Sequence, residues 1–109
     1  NGQGKRGWDA MLPEKTGIHA TVLEQIRSIA EQYDLCSVIL FGSRARGDFK
    51  ERSDIDLAVS GGNSSAFALA VDEGTDTLLK YDVVDLDRPV DTALLDNIRK
   101  DGIILYEKV

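Results

Sequence analysis

A two-layer α/β domain, a small mixed sheet with helices packed on it, is the fold class these 109 residues predict. Two observations carry that expectation. Short β-prone apolar runs alternate along the chain with longer stretches of helical hydrophobic period, and Gly, Pro, Asn, Asp or Ser punctuates the joins. An apolar fraction of 42% is enough for one modest core, and the length suits a single domain.

Residues 1–16 begin rich in Gly, Lys and Arg and read as a flexible leader or cloning remnant, in which only Trp8 and the Met11-Leu12 pair are expected to dock. Residues 17–109 form the folded domain. Val22, Ile26, Ile29 and Tyr33 recur at three- and four-residue steps, so a helix from about Ile18 onward should lay one apolar face on the sheet. Cys36 to Phe41 is a compact apolar run, the pattern of a buried strand. Asp54 to Val59 alternates polar and apolar residues, a second strand. Gly61-Gly62-Asn63 is a loop, Ser64 is a candidate N-cap, and Phe67, Ala70, Val71, Leu78 and Leu79 suggest a second helix that Gly74 weakens. Tyr81 to Leu86 is a third strand, stopped by Arg88-Pro89. Asp91 is placed to cap a helix bearing Leu94, Leu95 and Ile98, Gly102 ends it, and Ile103 to Tyr106 supply a last strand.

Charge narrows the partners. The chain carries a formal net charge of −6 and a pI near 4.6, whereas a nucleic-acid surface is normally basic; direct nucleic-acid binding is therefore not expected. A single cysteine, Cys36, excludes an internal disulfide in these residues and is expected to be a buried, inert thiol. No apolar run reaches the length of a membrane span, so no membrane association is expected and the cytoplasm is the default location. His19 lacks neighbouring ligands and reads as an exposed helix residue.

The chemistry concentrates in residues 42–56. Gly42-Ser43 falls where the first strand ends, and such a turn presents backbone N–H groups and a hydroxyl to an anion. Arg44 and Arg46 follow, and guanidinium groups match phosphate oxygens; with Lys50 and Arg52 they make the densest basic cluster of the chain. It is neither a Walker loop, since no Gly-Lys-Ser/Thr follows, nor a Rossmann fingerprint. After ten further residues come Asp54 and Asp56, two apart and so on one face of a strand, about 6 to 7 Å apart at Cα. Two such anions repel, raising one pKa unless a cation neutralises them. Mg²⁺ is the natural cation, because it accepts one or two carboxylates and completes its shell with phosphate and water. A third carboxylate would come from the strand Tyr81 to Leu86. Asp82 and Asp85 face opposite sides, so only one can join; Asp82 is favoured, but strand geometry alone leaves both open.

Gly42-Ser43, ten residues, Asp54-x-Asp56 and a later strand aspartate together resemble the minimal nucleotidyltransferases of the DNA polymerase beta superfamily. The resemblance spans roughly residues 17–107. It includes Phe41 to Gly47, Ser53 to Val59, the Asp82 to Leu86 strand and the closing Ile98 to Glu107 segment. It implies the nucleotidyltransferase fold. It further implies that Asp54 and Asp56 hold Mg²⁺, that Asp82 ligates metal and helps deprotonate the attacking hydroxyl, and that Gly42 and Ser43 bind the triphosphate of the donor, ATP. Two Mg²⁺ ions about 3.5 to 4 Å apart would serve such a transfer, with Arg44 or Arg46 holding phosphates.

Larger members of the family carry a helical domain that grips the acceptor, and these 109 residues are expected to work without one. The expectation is that the acceptor surface belongs to another polypeptide. Within the resemblance, stand-alone minimal members pair with a helical HEPN protein in toxin–antitoxin modules, as the antitoxin, and adenylylate that partner. Two rivals stand beside this: transfer to a small cationic acceptor such as an aminoglycoside, which an acidic protein would attract, and a partner-binding module without catalysis.

Overall fold

The computed structural model describes residues 7–108, with side chains from residue 11 to residue 108. Its elements are α1 (Gly7–Thr16), α2 (Ala20–Gln32), β1 (Ser37–Phe41), α3 (Gly42–Arg46), β2 (Ile55–Ser60), α4 (Ser64–Gly74), β3 (Tyr81–Asp85), α5 (Thr92–Asp101) and β4 (Ile103–Glu107). The four strands form one mixed sheet in the order β3-β2-β1-β4. β1 runs antiparallel to both β2 and β4, while β2 and β3 are parallel, joined by the crossover through α4. Parallel neighbours require such a crossover, which is why a helix separates the two acidic strands in sequence.

Alternation along the strands decides the two faces. Val38 and Leu40 of β1, Ile55, Leu57 and Val59 of β2 and Leu105 of β4 join Val22, Leu23, Ile26 and Ala30 of α2 and Phe67 and Val71 of α4 in the main core. On the opposite face Phe41 and Ala58 meet Ile98 of α5, with Ile39, Val84, Leu86 and Leu94 around them. That second cluster is small, so the sheet face beyond it stays open. Asp56 and Asp82, each two residues before Ala58 and Val84 on its own strand, point to that open side.

Several local expectations change. The leader expected over residues 1–16 is helical from Gly7 to Thr16. Leu12 and Thr16 are buried, the Thr16 hydroxyl donates to the Leu12 carbonyl, and Met11 is exposed rather than docked. Gly7 and Pro13 disfavour a helix by propensity, and burial of Leu12 in the core overrides them. The part of the leader over residues 1–6 lies outside the described residues, and the docking expected of Trp8 lies outside the described side chains. Cys36 is exposed, because the strand begins one residue later. Asn63, not Ser64, caps α4: its side chain accepts from the Ala66 amide at 3.1 Å, while the Ser64 hydroxyl donates to Asp85 at 3.0 Å. α4 ends at Gly74, leaving Leu78 in the following loop fully exposed. Asp91 does precede α5, but its side chain makes no capping bond.

Candidate active site

The register of two ladders assembles the site. β1 and β2 pair so that Phe41, the last residue of β1, stands opposite Asp56. β2 and β3 pair in parallel so that Asp56 stands directly beside Asp82, on strands about 4.8 Å apart. Asp54 lies just before β2, exposed at the mouth of the same ladder. Residues separated by forty positions in sequence thus flank one carboxylate, because β1 delivers Gly42 to one side of Asp56 and β3 delivers Asp82 to the other.

Gly42 has φ +75°, and a Cβ there would collide with the Asp56 carboxylate. Only glycine combines that left-handed backbone with so close an approach. What the sequence presents as a turn is the first residue of the short helix α3, closed where the Gly47 N–H donates to the Ser43 carbonyl at 2.8 Å. The start of α3 therefore lies against the carboxylate of Asp56.

The electrostatics register the crowding. Burial pushes the Asp56 carboxyl up to about 6, with the charges of Asp82 and Asp54 adding to the rise and those of Arg46 and Arg44 opposing it. A partly buried anion beside two exposed ones is costly unless something neutralises it.

Asp85 faces away. It accepts from the Asp87 amide and the Ser64 hydroxyl and pairs with Arg88 at 3.5 Å. Those bonds hold its pKa below the usual carboxylate range, the Asp87 amide most strongly. Asp85 ties β3 to the start of α4, whereas Asp82 is the residue that stands beside Asp56.

The two arginines part company. Arg46 is exposed, with its guanidinium 3.3 Å from Asp48 and 3.9 Å from Asp101, and its charge reaches Asp56. Arg44, expected to hold phosphate, is only 1% exposed. Its guanidinium donates to the carbonyls of Ser53, Thr16 and Glu51 at 2.9, 2.9 and 3.1 Å, and more distantly to those of Gly17 and Lys50. All five N–H groups point inward, so none is presented to a phosphate. Sequence reasoning also missed Gly17 and Phe49, which enclose this guanidinium: the Phe49 ring centroid lies 4.9 Å from it. Main-chain carbonyls exist at every position, so no residue type in the sequence advertises these partners.

Among the described residues no three His, Cys, Asp or Glu side chains close into a metal cage. Mg²⁺ does not need one, since substrate phosphates and water complete its shell. Asp56 and Asp82, with Asp54 beside them, are hard oxygen donors held together against their own repulsion. The donor set fits a divalent cation carried in with a phosphate ligand.

A crossover-linked acidic strand pair beside a glycine-started helix is the outline of a nucleotidyl-transfer fold, and comparison with known proteins agrees. The sequence profile described as "Polymerase beta, Nucleotidyltransferase" matches residues 24–109. A protein of Methanocaldococcus jannaschii named "Putative protein adenylyltransferase" is 36% identical over 78 residues, which cover 63% of this chain and 76% of that one. The crystal structure of "the toxin-antitoxin with AMP-PNP" superposes with a TM-score of 0.65 at 24% identity, over 79% of this chain and 73% of that chain. A tyrosine-to-alanine variant of the toxin-antitoxin MntA-HpeT gives a TM-score of 0.62 at 25% identity, over 78% and 72% of the two chains. The chain belongs to the polymerase beta nucleotidyltransferase family and is a nucleotidyltransferase.

Proposed function

We propose that this enzyme transfers AMP from ATP, with Mg²⁺, to a hydroxyl group of a helical HEPN-type protein, and that it acts in the cytoplasm as the antitoxin of a toxin–antitoxin module. The observation that carries the catalytic part is the pairing of Asp56 with Asp82 beside the start of α3. The protein acceptor is supported by the relative named as a protein adenylyltransferase, and the modular role by the similarity to solved toxin–antitoxin chains.

In this reading Asp54, Asp56 and Asp82 hold two Mg²⁺ ions, which when bound neutralise the leaving pyrophosphate and ease ionisation of the acceptor. Gly42 and Ser43 receive the triphosphate through backbone N–H groups and the Ser43 hydroxyl, and Arg46 adds a cation from the site's rim. Asp82 takes the proton of the acceptor hydroxyl as its oxygen bonds to the α-phosphorus and the bond from that phosphorus to the pyrophosphate oxygen breaks. The protein's work is positioning and charge neutralisation, without a covalent intermediate.

Incubation with α-phosphate-labelled ATP, Mg²⁺ and, in parallel, the product of the neighbouring gene or an aminoglycoside tests this. Label on a helical HEPN-type neighbour, lost in Asp54→Asn, is expected. Label on an aminoglycoside instead would transfer the reading to small cationic acceptors, which the net charge of −6 would attract. A tight complex without any label would leave a binding module.

A further inference from the structure

We propose that Arg44 is the positioning residue of the carboxylate site and that it couples the end of α1 to Asp54. The inference rests on reading Asp54, Asp56 and Asp82 as a Mg²⁺-nucleotide site. The Ser53 carbonyl that accepts from Arg44 Nε at 2.9 Å belongs to the peptide joining Ser53 to Asp54. The same guanidinium binds the Glu51 carbonyl at 3.1 Å and, at 3.5 Å, that of Lys50, so both halves of the turn leading into Asp54 hang on one side chain. Its other terminal nitrogen grips Thr16 at 2.9 Å and Gly17 at 3.3 Å, where α1 ends.

The neighbourhood is built around that contact. Gly17 has φ +68°, and a Cβ there would fall 2.8 Å from Arg44 Nη1 and strike the Phe49 ring. The ring covers the guanidinium at 4.9 Å, and among the described residues no buried side-chain nitrogen or oxygen lacks a partner. The turn is also closed on itself, with the Lys50 amide donating to the Ser53 hydroxyl at 2.8 Å. Arg44 is rooted in α3, one residue after Ser43, so a single rigid connection relates the phosphate-side turn, the metal-side carboxylate and the N-terminal helix. A planar fork with five fixed donors can hold this arrangement; an ammonium with three freely turning donors cannot.

Arg44→Lys in the full chain separates charge from geometry, because the positive charge near Asp54 and Asp56 is retained. Titration of Mg²⁺ in the presence of saturating non-hydrolysable ATP analogue should give a folded variant whose Mg²⁺ affinity is roughly tenfold or more weaker than wild type, the range expected when a group orienting metal ligands is lost. Val71→Ala, a core truncation in α4, should lower the melting temperature and leave Mg²⁺ affinity unchanged. Unchanged affinity in folded Arg44→Lys, or an equal loss in Val71→Ala, overturns the inference while the nucleotide reading stands. Absence of Mg²⁺-nucleotide binding by wild type overturns both. Should Arg44→Lys fail to fold, hydrogen exchange on wild type decides: Mg²⁺-nucleotide binding should slow exchange at amides 17–18 as well as 50–54, and protection confined to 50–54 overturns the coupling.

Discussion

Asp56 and Asp82 are direct partners across the parallel β2–β3 ladder, on the sheet face that α5 leaves partly open. Their adjacency places two anions within one strand spacing, and burial together with Asp82 and Asp54 lifts the Asp56 carboxyl from 3.8 to about 6. The fold thus concentrates negative charge on one side of the sheet.

This pair makes stability depend on pH in a defined direction. The folded state holds the Asp56 proton more tightly than the unfolded chain, so the contribution is fully present below about pH 3.8 and is lost as pH rises through about 6. Metal-free protein should therefore gain stability at pH 7.5 from Asp56→Asn, by less than the full shift implies because solvent screens a partly exposed carboxylate, and gain little below pH 4. Urea melts at the two pH values in chelator check this, and equal effects at both would contradict the assignment.

Asp82→Asn and Asp85→Asn should separate cleanly. Asp82 is exposed and faces the site, so its variant loses no stability, gaining a little at neutral pH as its repulsion of Asp56 is relieved, while Mg²⁺-dependent nucleotide binding is lost. Asp85→Asn weakens the bonds to Ser64, Asp87 and Arg88. Its melting temperature falls by a few degrees with binding retained. Calorimetric titration beside thermal melts would expose a reversal.

Gly42→Ala combines a left-handed backbone with a Cβ that collides with Asp56. A destabilisation of about 1–3 kcal/mol is expected, with loss of nucleotide binding. A variant as stable as wild type would mean that the start of α3 does not need this approach.

α4 is anchored by Phe67 and opened by Asn63. Phe67 is fully buried, so Phe67→Ala should cost about 3–5 kcal/mol. Asn63→Ala removes the bond to the Ala66 amide and should cost about 1 kcal/mol, whereas Ser64→Ala should leave the helix start intact and disturb Asp85 instead. Denaturant titration of the three variants ranks them.

Much of this protein is legible in residue order. The alternation around Ile55 and Val83, the periodic apolar face of α2 and the Gly42-Ser43 to Asp54-x-Asp56 spacing each encode their element or motif locally, through side-chain type and period. Strand faces also separated Asp82 from Asp85, because alternation is a local rule, although it could not say which side the site would occupy. α1 escaped because its propensity is poor and its stability comes from burying Leu12 and from the carbonyl contacts of Arg44. Cys36 was misplaced because one residue at a strand's start decides between core and surface.

By itself, then, the sequence determined most of the strand and helix periods, the acidic pair and the Gly42-Ser43 turn at the end of the first strand; that Gly42 lies against the Asp56 carboxylate came from the fold. Tertiary structure alone decided that Asp82 joins Asp56, through the β2–β3 register, and that Arg44 turns inward while Arg46 stays at the surface. The reason is physical: side-chain periodicity is written in residue types, whereas ladder register and main-chain acceptors depend on which backbone segments meet, and every backbone segment offers the same amides and carbonyls.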